Sequence, residues 1–265
     1  DGQIAFSREL LAAARDHLIL PLWNIYSQFI GAAIQVGWTP PTVEPEGERS
    51  KAILDRWLSS RLHWLVGEVT NALESYDSHG AASLLQEFVT DLAGWYLPGA
   101  QRRLAESAVV AERQAVCASL YQALVILSRL FAPFLPFLAE ELYQKLVRTF
   151  DFSLPLSVHL TDWPVVAQAL LDPELDRQMA LAQKIVSLGR SARQDQAVSL
   201  YQPLPGALVT FCSSDDASAM DLFTELLADA LLVRQISYAV DEILVPQGDV
   251  RVTLDTHLTV ELLQE

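Results

Sequence analysis

Between Phe6 and about Val36 apolar residues return every three or four positions: Leu10, Leu11, Ala14, Leu18, Leu22, Ile25, Phe29 and Ala33. That spacing places them on one face of a helix. Pro21 interrupts the run. It lacks an N–H and crowds the preceding turn, which predicts a kink or two consecutive helices. The prolines and glycine of "TPPTVEPEGERS", residues 39–50, mark a loop. The segment "ILDRWLSSRLHWLVGEVTNALESYD" carries the clearest helical stripe, Leu54, Trp57, Leu58, Leu62, Leu65, Val69, Leu73 and Tyr76, with Arg56, Ser60, Glu68 and Glu74 off it. After a break at residues 77–80 the spacing resumes with Ala81, Leu84, Leu85, Phe88, Leu92 and Trp95, and two such helices joined by a tight turn are expected to pack antiparallel.

The second of these helices is expected to end at Pro98-Gly99 in "DLAGWYLPGAQRRLAES", residues 91–107. A third long helix, roughly 106–131, is apolar on nearly all sides from Cys117 onward and so belongs at the centre; Pro133 stops it and Pro136 opens the next. Glu140, Glu141, Lys145 and Arg148 give that helix a polar face. Residues 151–171 read as a connection with one short extended piece, "LSVHLTDWP". Asp172-Pro173-Glu174 combines a cap, a first-turn proline and an early acid, and starts a helix running to about Arg193. The period then changes. "GALVTFCS" and "VRQISYAVD" alternate like strands around an amphipathic helix, "ASAMDLFTELLADALL", and "VRVTLDTHLTVEL" adds a strand or hairpin. The fold class is mainly α: a helical bundle over 1–150, a connection and long helix over 151–193, and a small α/β domain over 194–265.

A chain of 265 residues that is 51% hydrophobic can bury a large core. No uninterrupted apolar run reaches the roughly 20 residues of a membrane span, and two isolated cysteines, Cys117 and Cys212, suit a reduced, cytoplasmic compartment rather than a disulfide framework or a zinc site. The net charge of -15 argues against a general nucleic-acid binder, but it is unevenly spread. Residues 1–150 hold 12 basic against 16 acidic side chains, and residues 151–265 hold 6 against 17. The first half can therefore still present a local basic face.

Catalytic signatures are missing: there is no glycine-rich phosphate loop, no His-Glu-x-x-His, no Gly-x-Ser-x-Gly and no Cys-x-x-Cys. None of the five histidines has a glutamate three positions before it, which disfavours a di-metal bundle. His17, His63 and His79 read as ordinary helix residues, and His159 as part of a hydrogen-bonded corner near Asp162 and Trp163. Trp57, Trp64, Tyr76, Trp95 and Tyr96 sit at helical spacing and read as core before they read as base-stacking platforms.

Six stretches in order, "PLWNIYSQFI", "LDRWLSSRLHWLVGEVTNALESYD", "AASLLQEFVTDLAGWY", "LFAPFLPFLAEELYQKL", "SVHLTDWP" and "GRSAR" followed by "QPL", resemble class I isoleucyl-tRNA synthetases. The resemblance runs from near Arg8 almost to the C-terminus. It implies the helical anticodon-binding domain and the small α/β piece after it, without the catalytic and editing domains. It therefore implies no catalytic residue, metal or cofactor within these residues: ATP and Mg would belong to the catalytic domain. The partners it implies are isoleucine tRNA and a catalytic domain in the same polypeptide. In the family the counterpart of Trp95-Tyr96 leads into an unbroken arginine-rich helix facing the tRNA. Here Leu97, Pro98, Gly99, Ala100 and Gln101 stand at its start, and Arg102 and Arg103 keep the charge. Tyr201 stands where the family has an arginine before Gln-Pro-Leu, while Arg190 and Arg193 remain on the preceding helix. Arg102, Arg103, Arg190 and Arg193 are thus the expected RNA contacts. Two readings stay open: part of a larger isoleucyl ligase, or a free-standing, non-catalytic paralogue serving as a protein-interaction or regulatory module with weak or no RNA binding.

Overall fold

The computed structural model describes residues 7–40, 50–106, 109–241 and 249–256. Most of the expected loop at 39–50 and the end of the expected final strand or hairpin lie outside them. The chain divides into two compact units, Asp1–Asp172 and Pro173–Glu265. Residues 151–171 fall in the first unit and the long helix that begins at Pro173 in the second.

The first unit is helical. Helices α1 (Arg8–Ala14) and α2 (Leu20–Val36) are joined without a break by a π-helical turn at Arg15–Ile19, and α3 (Ile53–Glu74) precedes α4 (Ser78–Asp91). A second π-helical turn, Leu92–Tyr96, leads straight into α5 (Leu97–Glu106). The central α6 (Val110–Phe131) is followed by α7 (Pro136–Tyr143), which ends in a third π-helical turn at Gln144–Arg148. Helix α6 packs against α2, α3, α5 and α7, and its Cys117, Ala123, Leu124, Leu127 and Leu130 are sealed from solvent. That burial explains its nearly all-round apolar sequence.

The chain does not break at Pro98-Gly99. In a π-helical turn each N–H reaches back five residues instead of four, so one carbonyl is left without an intrahelical donor. Leu97 N–H bonds to the Leu92 carbonyl, and Pro98 follows at once. The residue that cannot donate thus falls where the widened turn has released an acceptor. The same spacing recurs at the other proline: Leu20 N–H bonds to the Arg15 carbonyl, and Pro21 comes next. Gly99 has a packing role, since a Cβ there would lie 2.4 Å from Leu54 Cδ1. Its absence lets α5 settle onto α3.

The return segment after α7 lies along α3 in reverse. Trp163 Nε1 donates to Thr70 Oγ1 at 2.8 Å, Ala167 N–H to His63 Nδ1 at 3.2 Å, and Asp172 N–H to Ser60 Oγ at 2.8 Å. This is why Ser60 and His63 are buried although they lie off the apolar stripe. "LSVHLTDWP" forms a 3₁₀ turn, Val158–Leu160, instead of an extended strand. Tyr76, expected on the stripe, lies past the end of α3 at φ 60 and is exposed.

In the second unit, α8 (Pro173–Asp195) precedes β1 (Leu204–Phe211), α9 (Ser214–Ala219), a 3₁₀ turn, α10 (Thr224–Leu231), β2 (Val233–Val240) and β3 (Val250–Asp255). The sheet order is β2-β1-β3, with β1 and β2 parallel and β3 antiparallel to β1. The two parallel strands need the α9–α10 crossover between them. Helix α8 packs on β3 and α10, and the missing Cβ of Gly189 makes room for Leu231. Leu204, Val209, Phe211, Met220, Phe223 and Leu227 form this unit's core.

Candidate nucleic-acid interface

The π-helical turn sets the roll of α5, so that Tyr96, Ala100 and Arg103 fall on one inward stripe at steps of four and three. Arg103 therefore does not point away as a solvated or phosphate-seeking side chain. Its Nη1 and Nη2 donate to Asp55 Oδ1 at 2.7 Å and Oδ2 at 3.0 Å, a two-pronged pair against a carboxylate whose side chain is 1% exposed. Tyr96 Oη donates to Asp55 Oδ1 at 2.8 Å, and the Ser50 hydroxyl donates to Oδ2. Asp55 is thus saturated by donors from α5, the π-helical turn and the residues before α3. Burial, and next the Asp55 charge, push the Tyr96 phenol well above its ordinary range. Arg102 belongs to α5 by its backbone, and its side chain lies outside the described residues.

In the second unit Arg193 is 1% exposed. Nη1 donates to the carbonyls of Ser199 (2.9 Å) and Gln202 (2.7 Å), and Nη2 to those of Leu231 (2.6 Å) and Leu232 (3.1 Å). Two of these carbonyls end α10, where the helix dipole favours a cation and where Leu232 turns left-handed at φ 52. The other two belong to the turn that feeds β1. Arg193 is a tie between three backbone segments, and burial lowers its pKa. It does not reach a solvent-facing phosphate. Arg190, one helical turn earlier, is exposed, and no ion pair is formed by it among the described residues. Between the two carbonyls that Arg193 holds, Tyr201 projects at 89% exposure.

The remaining cations are mostly engaged. Arg56 pairs with Asp172 at 2.8 Å, and Arg177 pairs with Glu174 and Asp216. Arg61 meets Glu87 and Asp91 and lies 4.2 Å over the Trp64 ring. Of the aromatic residues singled out by spacing, Trp57 and Tyr96 are core, whereas Trp64 and Trp95 are half-buried. Cys117 is sealed in the bundle, and burial pushes its thiol up to about 11, so it stays protonated and unreactive near neutrality. His159 is exposed; the corner around it is organised by Glu140, which accepts from Ser157 Oγ at 2.8 Å and Val158 N–H at 2.9 Å.

Asp55 is the residue that periodicity missed. It sits in a helix's first turn, where an acid is explained by the dipole alone, and nothing local marks it as a long-range partner. Tyr201 was legible as a departure from the family pattern, but its projection follows from the grip of Arg193.

A helical bundle followed by a small α/β unit is the architecture these residues define. Residues 55–208 match the family described as the anticodon-binding domain of tRNA ligase, a stretch holding Asp55 and all four arginines. The chain belongs to that family. Its relatives include the isoleucine–tRNA ligase of Dehalococcoides mccartyi strain 195, 37% identical over 268 residues, an alignment covering 98% of this chain and 26% of that protein. The isoleucine–tRNA ligase of Thermus thermophilus is 39% identical over 223 residues, covering 84% of this chain and 21% of that protein. The chain spans about a quarter of the length of the curated relatives it matches.

Proposed function

We propose that this chain is the part of an isoleucine–tRNA ligase that holds the anticodon stem and loop of isoleucine tRNA, so that a catalytic domain of the same polypeptide can reach the acceptor end. The observation that carries this reading is the match of nearly the whole chain to isoleucine–tRNA ligases, across both units. Binding works by position: arginine–phosphate bonds fix orientation, and exposed aromatic rings stack on unpaired bases. Arg190 and Arg102 are assigned to phosphates, and Tyr201 to stacking. Arg103 and Arg193 contribute indirectly, by fixing the segments that carry them. The action takes place in the cytoplasm, and no metal or cofactor takes part in this step.

Hydroxyl-radical footprinting of isoleucine tRNA with the purified chain tests the reading. Protection confined to the anticodon stem and loop is expected. Protection of the acceptor stem instead, or none by a folded sample at low salt, contradicts it.

A further inference from the structure

Arg193 shapes the segment that follows α8 as well as tying it down. The helix closes with Ala197 in the left-handed conformation, φ 54. Ala197 N–H bonds to the Gln194 carbonyl at 3.1 Å, and Val198 N–H to the Arg193 carbonyl at 2.9 Å, a double closure that reverses the chain. Residues 199–202 then fold back on themselves. The Ser199 carbonyl accepts the Gln202 N–H at 3.3 Å, and the Ser199 hydroxyl accepts the Tyr201 N–H at 3.2 Å. The sealed guanidinium grips both ends of this turn, the carbonyls of Ser199 and Gln202, while Nη2 holds the end of α10. One residue thus fixes the turn through its own carbonyl and through its side chain. At the tip stand Leu200, 51% exposed, and the still more exposed Tyr201.

An aromatic ring on a connecting segment must ordinarily be ordered by its ligand, at a cost in affinity. Here the ordering is done in advance. Because the cation lies beneath the turn, what faces outward is a ring and an apolar side chain. That pair suits a flat, partly apolar group such as an unpaired nucleobase, and a ring face is tolerant of which base it meets, since every base has a π-face.

We propose that Arg193 is a positioning residue for RNA recognition: its clamp on the Ser199–Gln202 turn holds Tyr201 as a preformed platform on which one unpaired base of the anticodon loop stacks, whatever that base is. The proposal deepens, and rests on, the reading of the chain as the tRNA-holding part of a ligase. The turn lies within residues 55–208, the stretch that matches the anticodon-binding domain of tRNA ligase. Arg190, one helical turn before Arg193, places an exposed cation at the same end of α8, where phosphate contacts position and stacking adds hold. A protein surface is the other occupant of an exposed Leu-Tyr tip, and the test separates the two.

A hairpin with the anticodon stem-loop sequence of isoleucine tRNA, carrying 2-aminopurine at one loop position at a time, is titrated with the full chain at about 50 mM salt. Selective quenching of one loop position is expected. Tyr201→Ala should abolish that quench and weaken binding about tenfold, the order of one base–aromatic stack. Arg193→Lys keeps a cation but loses the rigid fork that spans both ends of the turn. With a wild-type circular dichroism spectrum, it should lose the same quench and about as much affinity, and the double variant should bind no more weakly than either single one. An Arg193 that serves folding alone predicts otherwise, since folded Arg193→Lys would then quench and bind as wild type does. That outcome, effects of the two substitutions that multiply, or an unchanged quench in Tyr201→Ala overturns the proposal. Where Arg193→Lys does not fold, Ser199→Gly, which releases the Tyr201 N–H at an exposed position, is read in its place by the same criteria. Folded wild type that does not bind the hairpin overturns the tRNA reading and the platform with it, whereas binding without any quench, as a protein-facing tip would give, overturns the platform alone.

Discussion

Two arginine pairs, one in each unit, solve the same problem differently. Arg102-Arg103 ends α5, and Arg190…Arg193 ends α8. In each the second arginine turns into the protein. Arg103 is neutralised by a buried carboxylate, Asp55, whereas Arg193 pairs with no carboxylate among the described residues and is solvated by four backbone carbonyls. The difference shows that an arginine kept inside a protein can serve two ends. One tethers a helix through charge, and the other replaces water at a helix terminus and a turn. Both guanidinium groups are engaged by partners within the protein.

The sharpest way to break the comparison is Arg193→Ala. It strands the four carbonyls that the guanidinium holds, and a loss of about 3–5 kcal/mol from the second unit is expected in urea titrations. A loss below about 1 kcal/mol would mean that water replaces the guanidinium freely. Arg103→Ala is expected to cost less, about 2–4 kcal/mol, because Tyr96 and Ser50 still donate to Asp55. A double-mutant cycle with Asp55→Asn should recover about 1–3 kcal/mol as coupling between the two sites, and strict additivity would contradict the tether.

Tyr96→Phe removes one hydrogen bond to the carboxylate and should cost about 1–2 kcal/mol near neutrality. The phenol's pKa is raised in the folded state, so its contribution is complete below the unfolded value, about 10, and is lost as pH rises toward the folded one. Wild type should therefore lose stability above pH 10 more steeply than Tyr96→Phe, as alkaline melts would register. Arg190→Ala should change stability least, within about 0.5 kcal/mol. Its effect is expected in RNA affinity instead.

Much of the fold was legible. Periodicity located α3, α4, α6, α8 and the strands, because each buries a regular stripe. It failed at Pro98-Gly99, where the local rules for proline and glycine predict an end. The π-helical turn that absorbs Pro98, and the close approach that requires Gly99, are set by packing on α3 and leave no short-range mark. The extended reading of "LSVHLTDWP" failed for a related reason, since its backbone is held by side chains of α7 and not by a neighbouring strand. The resemblance supplied the family. Arg103 and Arg193 read as surface cations because Asp55 lies 48 residues away and Leu231 38 residues away, distances that no sequence window spans.

The central claim, that this chain holds tRNA through arginine–phosphate bonds such as those assigned to Arg190, is tested most directly by a fluorescence titration of isoleucine tRNA against wild type and Arg190→Ala from 50 to 200 mM salt. Wild type should bind at low salt and weaken as salt rises, and Arg190→Ala should bind more weakly with a logarithmic salt slope lower by roughly 0.7–0.9. Equal affinity and slope for the two proteins, or no binding by folded wild type at 50 mM, would contradict the account.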